Sequence, residues 1–153
     1  MFGVEIYDPR LVKPVTILNV YVPPIRAVDG RDQCFNSNFL PTTTATFVLG
    51  DFNVHSPTWD PNCPEDLSGE ELDDWAITGD LVVLNDDSPT RISSRGVATA
   101  PDVTFVPSAW EEYLIWHTSI NIMARTTSPL SSKSAVVFTP ANLEKGYILL
   151  QES

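Results

Sequence analysis

The sequence predicts an α/β (α+β) fold built on a mixed sheet, and three observations carry that expectation. Strand-like, helix-like and strand-like segments alternate from about residue 45 to residue 106, the pattern of a sheet with helices packed on it. Thirteen prolines against seven glycines imply rigid turns and short strands and exclude a helical bundle. The 153 residues, 42% hydrophobic and 10% aromatic, suffice for one domain with a core of ordinary size and exclude a disordered chain.

The elements follow in order. Residues 15–22 (VTILNVYV) are rich in β-branched side chains and closed by Pro23-Pro24, so they read as a strand. Residues 2–7 are its candidate hairpin partner, turning through Asp8-Pro9-Arg10. Residues 25–41 have no clean period and offer only a short helix around 32–35. Residues 45–49 form the next strand, which runs into Gly50-Asp-Phe-Asn-Val-His55.

That stretch is the most informative in the chain. A strand has period two, so an extended backbone here sends Asp51, Asn53 and His55 to one face and Phe52 and Val54 into a core. A carboxylate, an amide and an imidazole at one strand end can bind a hydrated divalent cation, hold a phosphate and handle a proton. Taken alone, Asp-Phe-Asn also reads as a plain turn, because Asp and Asn cap and turn readily.

After a Pro-rich loop at 56–64, Ser68-Gly-Glu-Glu71 reads as a capping box that starts a helix. Leu72, Trp75 and Ala76 follow at helical spacing, and Gly79 stands at the C-cap position. Residues 81–84 read as a buried strand, Asn85-Asp86 opens a turn toward Ser88-Pro89-Thr90-Arg91, and residues 103–106 form another strand with Asp102 at its entrance. Beyond Trp110 the pattern changes: a helix is expected over about 111–123 and a strand over 135–138. Trp59, Trp75 and Trp110 read as core residues, and Thr90 and Arg91 as an ordinary solvated loop.

Charge and cysteine content bound the function. A formal net charge of -11 argues against non-specific binding to a nucleic-acid backbone. It leaves room for a nuclease, whose clustered carboxylates hold a metal that supplies the positive charge. Most of the excess acid lies between Asp51 and Asp87, a stretch without Lys or Arg, and most of it reads as a solvated acidic surface. Cys34 and Cys63 lie near no CxxC or His pair and read as free thiols of a reducing compartment. No apolar run reaches the roughly 18 to 20 residues that span a bilayer, and the N-terminus lacks the basic and apolar regions of a secretory signal.

Gly50-Asp51-Phe52-Asn53, with Trp59 downstream, resembles the endonuclease/exonuclease/phosphatase superfamily. The longer run from Gly50 to Asp60 (GDFNVHSPTWD) is most similar to the endonuclease domain of non-LTR retrotransposons, itself similar to apurinic/apyrimidinic repair endonucleases. Asn19-Val-Tyr-Val-Pro-Pro24, Leu81-Val-Val-Leu-Asn85 and Pro101-Asp-Val-Thr-Phe105 support the resemblance, which covers about residues 12–110. It implies a partial two-sheet sandwich with outer helices and the site at one end of the sheets. Residues 1–110 would supply the central part of that domain, and 111–153 a divergent tail that a frameshift near Trp110 would explain.

The resemblance also implies roles. Asp51 would orient and deprotonate the water that attacks a scissile phosphate. Asn53 would hydrogen-bond the phosphate or a metal-bound water, and Tyr21 would stabilise developing charge. Asp102 matches the aspartate that orients the family's catalytic histidine, and His55 matches a histidine common beside this motif in the retrotransposon branch. Asp51 and Asn53 are the candidate metal ligands, with Mg2+ (or Mn2+) as the implied cofactor. DNA and a parent retrotransposon polyprotein with its reverse transcriptase are the implied partners, in the nucleus and without a membrane.

Two family parts have no counterpart in these residues: an upstream Asn followed by a metal-binding Glu, and a Ser-Asp-His before an apolar strand. The other histidine, His117 in Ile115-Trp-His-Thr118, does not match the latter and reads as a packed or surface residue. The expected function is therefore metal-dependent DNA nicking by ancestry, impaired in this polypeptide. The alternatives are a non-catalytic remnant of a mobile element and a phosphatase of the same superfamily acting on inositol lipids or nucleotides.

Overall fold

The computed structural model describes residues 1–7, 14–24, 35–41, 43, 45–64, 66–93, 95–119, 133–138 and 146–149. Ten strands, one α-helix and two 3-10 turns lie within them. The strands are β1 (Phe2–Ile6), β2 (Val15–Tyr21), β3 (Thr46–Asp51), β4 (Leu81–Val83), β5 (Arg91–Ile92), β6 (Ala98–Thr99), β7 (Asp102–Pro107), β8 (Leu114–Ser119), β9 (Lys133–Phe138) and β10 (Gly146–Leu149). The helix, α1, spans Leu67–Thr78, and the 3-10 turns span Ser37–Phe39 and Ser108–Tyr113.

Five strands form a mixed sheet in the order β1-β2-β3-β7-β4, with β2 and β3 parallel and the other neighbours antiparallel. A second, three-stranded antiparallel sheet has the order β10-β9-β8, and β5 pairs with β6 in a small hairpin. This mixed sheet, second sheet and few helices agree with the endonuclease/exonuclease/phosphatase-like α/β fold.

Period two divides the core between the faces of the main sheet. Val20, Val48, Val103 and Phe105 join Phe52, Val54, Trp59 and the α1 residues Leu72, Trp75 and Ala76 in one cluster. Val15, Ile17, Phe47, Leu49 and Val106 join Leu114 and Trp116 in the other. Phe105 anchors the first cluster: the rings of Phe52, Trp59 and Trp75 meet it edge-on at centroid distances of 5.8, 6.0 and 5.3 Å. Trp110 is packed against the second cluster, so the three tryptophans pack as expected. Leu114 and Trp116 carry the core past residue 110.

Three expectations need correction. The helix expected over 111–123 is absent from its described residues, 111–119, where a 3-10 turn gives way at Leu114 to β8. Leu114 and Trp116 are buried while Ile115 is exposed, so a period of two, not 3.6, fits these residues to the second cluster. The capping box is not formed either. Asp66 caps α1 by accepting from the Gly69 amide at 2.7 Å, while Ser68 and Glu71 turn to the preceding segment. Ser68 Oγ accepts from the Phe35 amide at 2.9 Å, and Glu71 Oε1 accepts from the Ser37 hydroxyl at 2.6 Å. Finally, the extended backbone stops at Asp51, because Asn53 takes a left-handed φ of 49°.

The hairpin of residues 2–7 with β2, the strands at 45–49, 81–84, 103–106 and 135–138, and Gly79 at the C-cap all appear as expected. The turn at residues 8–10 lies outside the described residues, as do the His117 side chain and all of the short helix expected around 32–35 except Phe35, which is not helical.

Candidate functional site

The end of β3 is shaped by the residue before it. Gly50 has φ 152°, and a Cβ there would lie 1.8 Å from the Val20 carbonyl oxygen, so only glycine lets β2 and β3 approach at this level. In the next register step Tyr21 faces Asp51 across β2 and β3, and Asp51 faces Asp102 across β3 and β7. Residues directly opposite in a sheet share a face. Tyr21, Asp51 and Asp102 therefore form one row at an end of the main sheet, past the margin of the second cluster. Tyr21 is 61% exposed, whereas Asp51 and Asp102 are half-buried.

Asn53 supports the row through its bend. Its main-chain N–H donates to Asp51 Oδ1 at 3.1 Å, closing a turn of the kind Asp favours. Its Nδ2 donates to the Val22 carbonyl at 2.9 Å, tying the end of β3 to the exit of β2. The amide NH2 is thus committed, and contact with a ligand falls to Oδ1.

Asp102 is held from the other side. Asn85 Nδ2 donates to the Asp102 carbonyl at 2.9 Å and Asn85 Oδ1 accepts from the Thr104 amide at 2.9 Å, continuing the ladder beyond β4. The buried Thr90 accepts from the Asp102 amide at 3.2 Å. Thr90 is itself placed by the β5–β6 hairpin, its N–H donating to the Thr99 carbonyl at 3.0 Å.

Burial pushes both carboxyls above the ordinary aspartate value. For Asp51, hydrogen bonds from Asn53 and the charge of Arg91 oppose the rise without cancelling it. For Asp102, the Thr90 hydrogen bond and Arg91 oppose burial, while the Asp51 charge adds to the rise. Arg91 is thus near enough for its charge to act on both carboxylates, without an ion pair to either, although in the sequence it reads as part of a solvated loop. Asn85, Thr90 and Arg91 are the site residues that sequence reasoning misses. Thr90-Arg91 follows a proline and opens a two-residue strand, a signal too weak to distinguish a site from a turn.

An all-oxygen donor set of two carboxylates and one amide suits a hard divalent cation, and a cation would relieve the cost of burying two neighbouring charges. The set is short of donors, because no third His, Cys, Asp or Glu joins Asp51 and Asp102 in a cluster among the described residues.

His55 is placed differently from the other candidates. Its N–H donates to Asp66 Oδ2 at 3.1 Å, and one ring nitrogen lies within 4.8 Å of donor atoms of both Asp60 and Cys63. The contacts described for it are to this group, not to Tyr21, Asp51 or Asp102. Cys63 is a free thiol; burial and the neighbouring Asp60 carboxylate push it up to about 11. Cys34 lies outside the described residues.

A family model described as "Endonuclease-reverse transcriptase" matches residues 15–124. Among solved structures, the endonuclease domain of TRAS1, a telomere-specific non-LTR retrotransposon, superposes with a TM-score of 0.65 at 17% identity. The match covers 90% of this chain and 60% of that one, so the chain spans less than two thirds of the length of the domain it resembles. At that identity the likeness speaks for the fold alone. No curated protein matches. Among the described residues no helix is long and apolar enough to cross a membrane.

Proposed function

The chain belongs to the endonuclease-reverse transcriptase family, and from that membership we propose that the row of Tyr21, Asp51 and Asp102 is the remnant of a DNA-nicking centre. The observation that carries the reading is the meeting of these three side chains with Asn53 and Arg91 at one sheet end. Asp51 is the general base: a carboxylate made more basic by burial takes a proton from an attacking water more readily than an ordinary one. Asn53 Oδ1 orients that water or its ligand shell, and the exposed Tyr21 hydroxyl donates to a phosphate oxygen as charge develops. Arg91 draws the phosphate toward the acidic row. Mg2+ or Mn2+, held by Asp51 and Asn53, would neutralise phosphate charge when bound.

The polypeptide is a poor enzyme on this reading. Its 153 residues contain no Ser-Asp-His, and Asp102 has no catalytic histidine among the described residues to orient. Loss of one such transition-state group is worth on the order of 100-fold or more. DNA, a parent polyprotein with a reverse transcriptase, and a nuclear location belong to the same proposal. The missing motif also favours a second reading, a folded but inactive copy of a mobile element.

Site and activity can be tested separately. Fluorescence anisotropy with short duplex DNA should show tighter binding in Mg2+ than in EDTA, and Asp51→Ala should abolish the gain. A Mg2+-dependent gain that survives Asp51→Ala would place the cation elsewhere and contradict the proposal. Turnover of inositol phosphates or nucleotides without any effect on DNA would favour the phosphatase alternative.

A further inference from the structure

The loop between β3 and α1 gathers a second donor set that the acidic row does not use. His55 is clamped at both main-chain ends, donating its N–H to Asp66 Oδ2 at 3.1 Å and accepting from the Asp66 N–H at 3.0 Å. Gly69 makes the clamp possible, since a Cβ there would lie 1.9 Å from the His55 carbonyl oxygen. Asp60 is only 4% exposed, and its Oδ2 accepts from the Ala100 amide at 3.0 Å. A tight turn brings Cys63 back, its N–H donating to the Asp60 carbonyl at 3.0 Å. A ring nitrogen of His55, a carboxylate oxygen of Asp60 and Cys63 Sγ then lie within 4.8 Å of one another.

One further observation shows that this cluster is not closed by its own hydrogen bonds. The His55 Nδ1 atom is buried without a hydrogen-bond partner, a condition that costs roughly 1–3 kcal/mol where nothing compensates it. A Cys63 thiol donating to the Asp60 carboxylate would satisfy those two residues and leave the imidazole nitrogen bare. We propose that His55, Asp60 and Cys63 together bind one zinc-class divalent cation.

The donor chemistry selects the ion. An imidazole, a carboxylate and a thiolate match Zn2+, whereas Mg2+ prefers oxygen throughout. Zinc–ligand lengths of about 2.0–2.3 Å put tetrahedral ligands about 3.4–3.6 Å apart, so the three donors need close by little more than an ångström. Three protein ligands leave a fourth position for water. The Ala100 amide on Asp60 and the Asp66 clamp on His55 are the outer bonds that orient metal ligands. Binding requires a neutral imidazole and a thiolate, so the proton on Cys63 Sγ passes to solvent as the metal–sulfur bond forms. The bound ion would close the loop from His55 to Cys63 against the start of α1, a structural role separate from the row at Asp51.

The test uses the full chain under a phosphine reductant, with Zn2+ competed against a chromophoric chelator. The expected result is one ion per chain, a raised unfolding temperature, and for Co2+ the sulfur-to-metal absorption of a tetrahedral thiolate site. Cys63→Ser should weaken binding on the order of 100-fold or more, and His55→Gln should weaken it independently. Cys34→Ser and Asp51→Asn should leave it unchanged, and circular dichroism should show every variant folded. Absence of stoichiometric uptake, binding unaltered by Cys63→Ser, or binding lost in Cys34→Ser or Asp51→Asn would overturn the proposal.

Discussion

Asp51 and Asp102 hold their protons more tightly in the folded chain than an ordinary aspartate does, and burial is the first cause for each. The sign follows from linkage. A group whose folded pKa is raised costs the folded state nothing while it is protonated in both states; the cost builds as pH rises from the unfolded pKa to the folded one and stays constant above it. Asp102→Asn keeps an acceptor for the Thr90 hydroxyl and removes the charge. It should therefore raise the unfolding temperature at pH 7, with the gain shrinking below the raised folded pKa and gone once pH has fallen to the ordinary aspartate value of about 4. Thermal melts across pH check this, and a variant less stable at neutral pH would contradict it. At this scale the placement of residues was legible: Tyr21, Asp51 and Asp102 stand in register on adjacent strands, and the alternation of two buried side chains with three polar ones from 51 to 55 holds. His55 makes its described contacts with Asp66, Asp60 and Cys63 because the left-handed Asn53 ends the extended backbone that the alternation implies. Asp60 and Cys63 looked unrelated because a turn, not a sequence motif, brings them to the imidazole.

Among the elements, β3 has the least freedom. It is buried along both faces, and Gly50 sits where any side chain would strike Val20. Gly50→Ala should therefore cost about 3 kcal/mol or more, read as a lowered denaturation midpoint with unchanged slope. An exposed-site effect below about 0.5 kcal/mol would show that the strands can part. The start of α1 makes a second demand. The Asp66 carboxylate caps the helix at Gly69 and also holds the His55 amide, so Asp66→Ala should cost roughly 2 kcal/mol, at the high end for a cap. Ser68→Ala should act through the Phe35 amide it accepts from, not through the helix end. A capping box was the natural reading of Ser-Gly-Glu-Glu, because local pattern cannot see that Phe35 and Ser37 compete for the same side chains. The strand at Leu114 was hidden for a related reason. Its few apolar residues fit either period, and the apolar face opposite the main sheet decides between them.

For the whole molecule, the acidic balance sets what it can bind. With Asp and Glu at 20 against Lys and Arg at 9, few phosphates can be neutralised by side chains. Affinity for DNA in EDTA should be weak and depend little on salt, since each phosphate contact contributes a slope of about 0.9 in log–log form. A steep salt dependence measured by anisotropy would reveal a basic surface that the composition does not suggest. The mixed sheet and its order of strand, helix and strand were legible because central strands buried on both faces read as continuous apolar runs. The chain is thus a member of its family that keeps the row at Asp51 while its sequence holds no Ser-Asp-His. Nicking of supercoiled plasmid in Mg2+ tests this account most directly. The account predicts relaxation at or near background, no different for Asp51→Ala; robust Mg2+-dependent nicking that disappears in Asp51→Ala would contradict it.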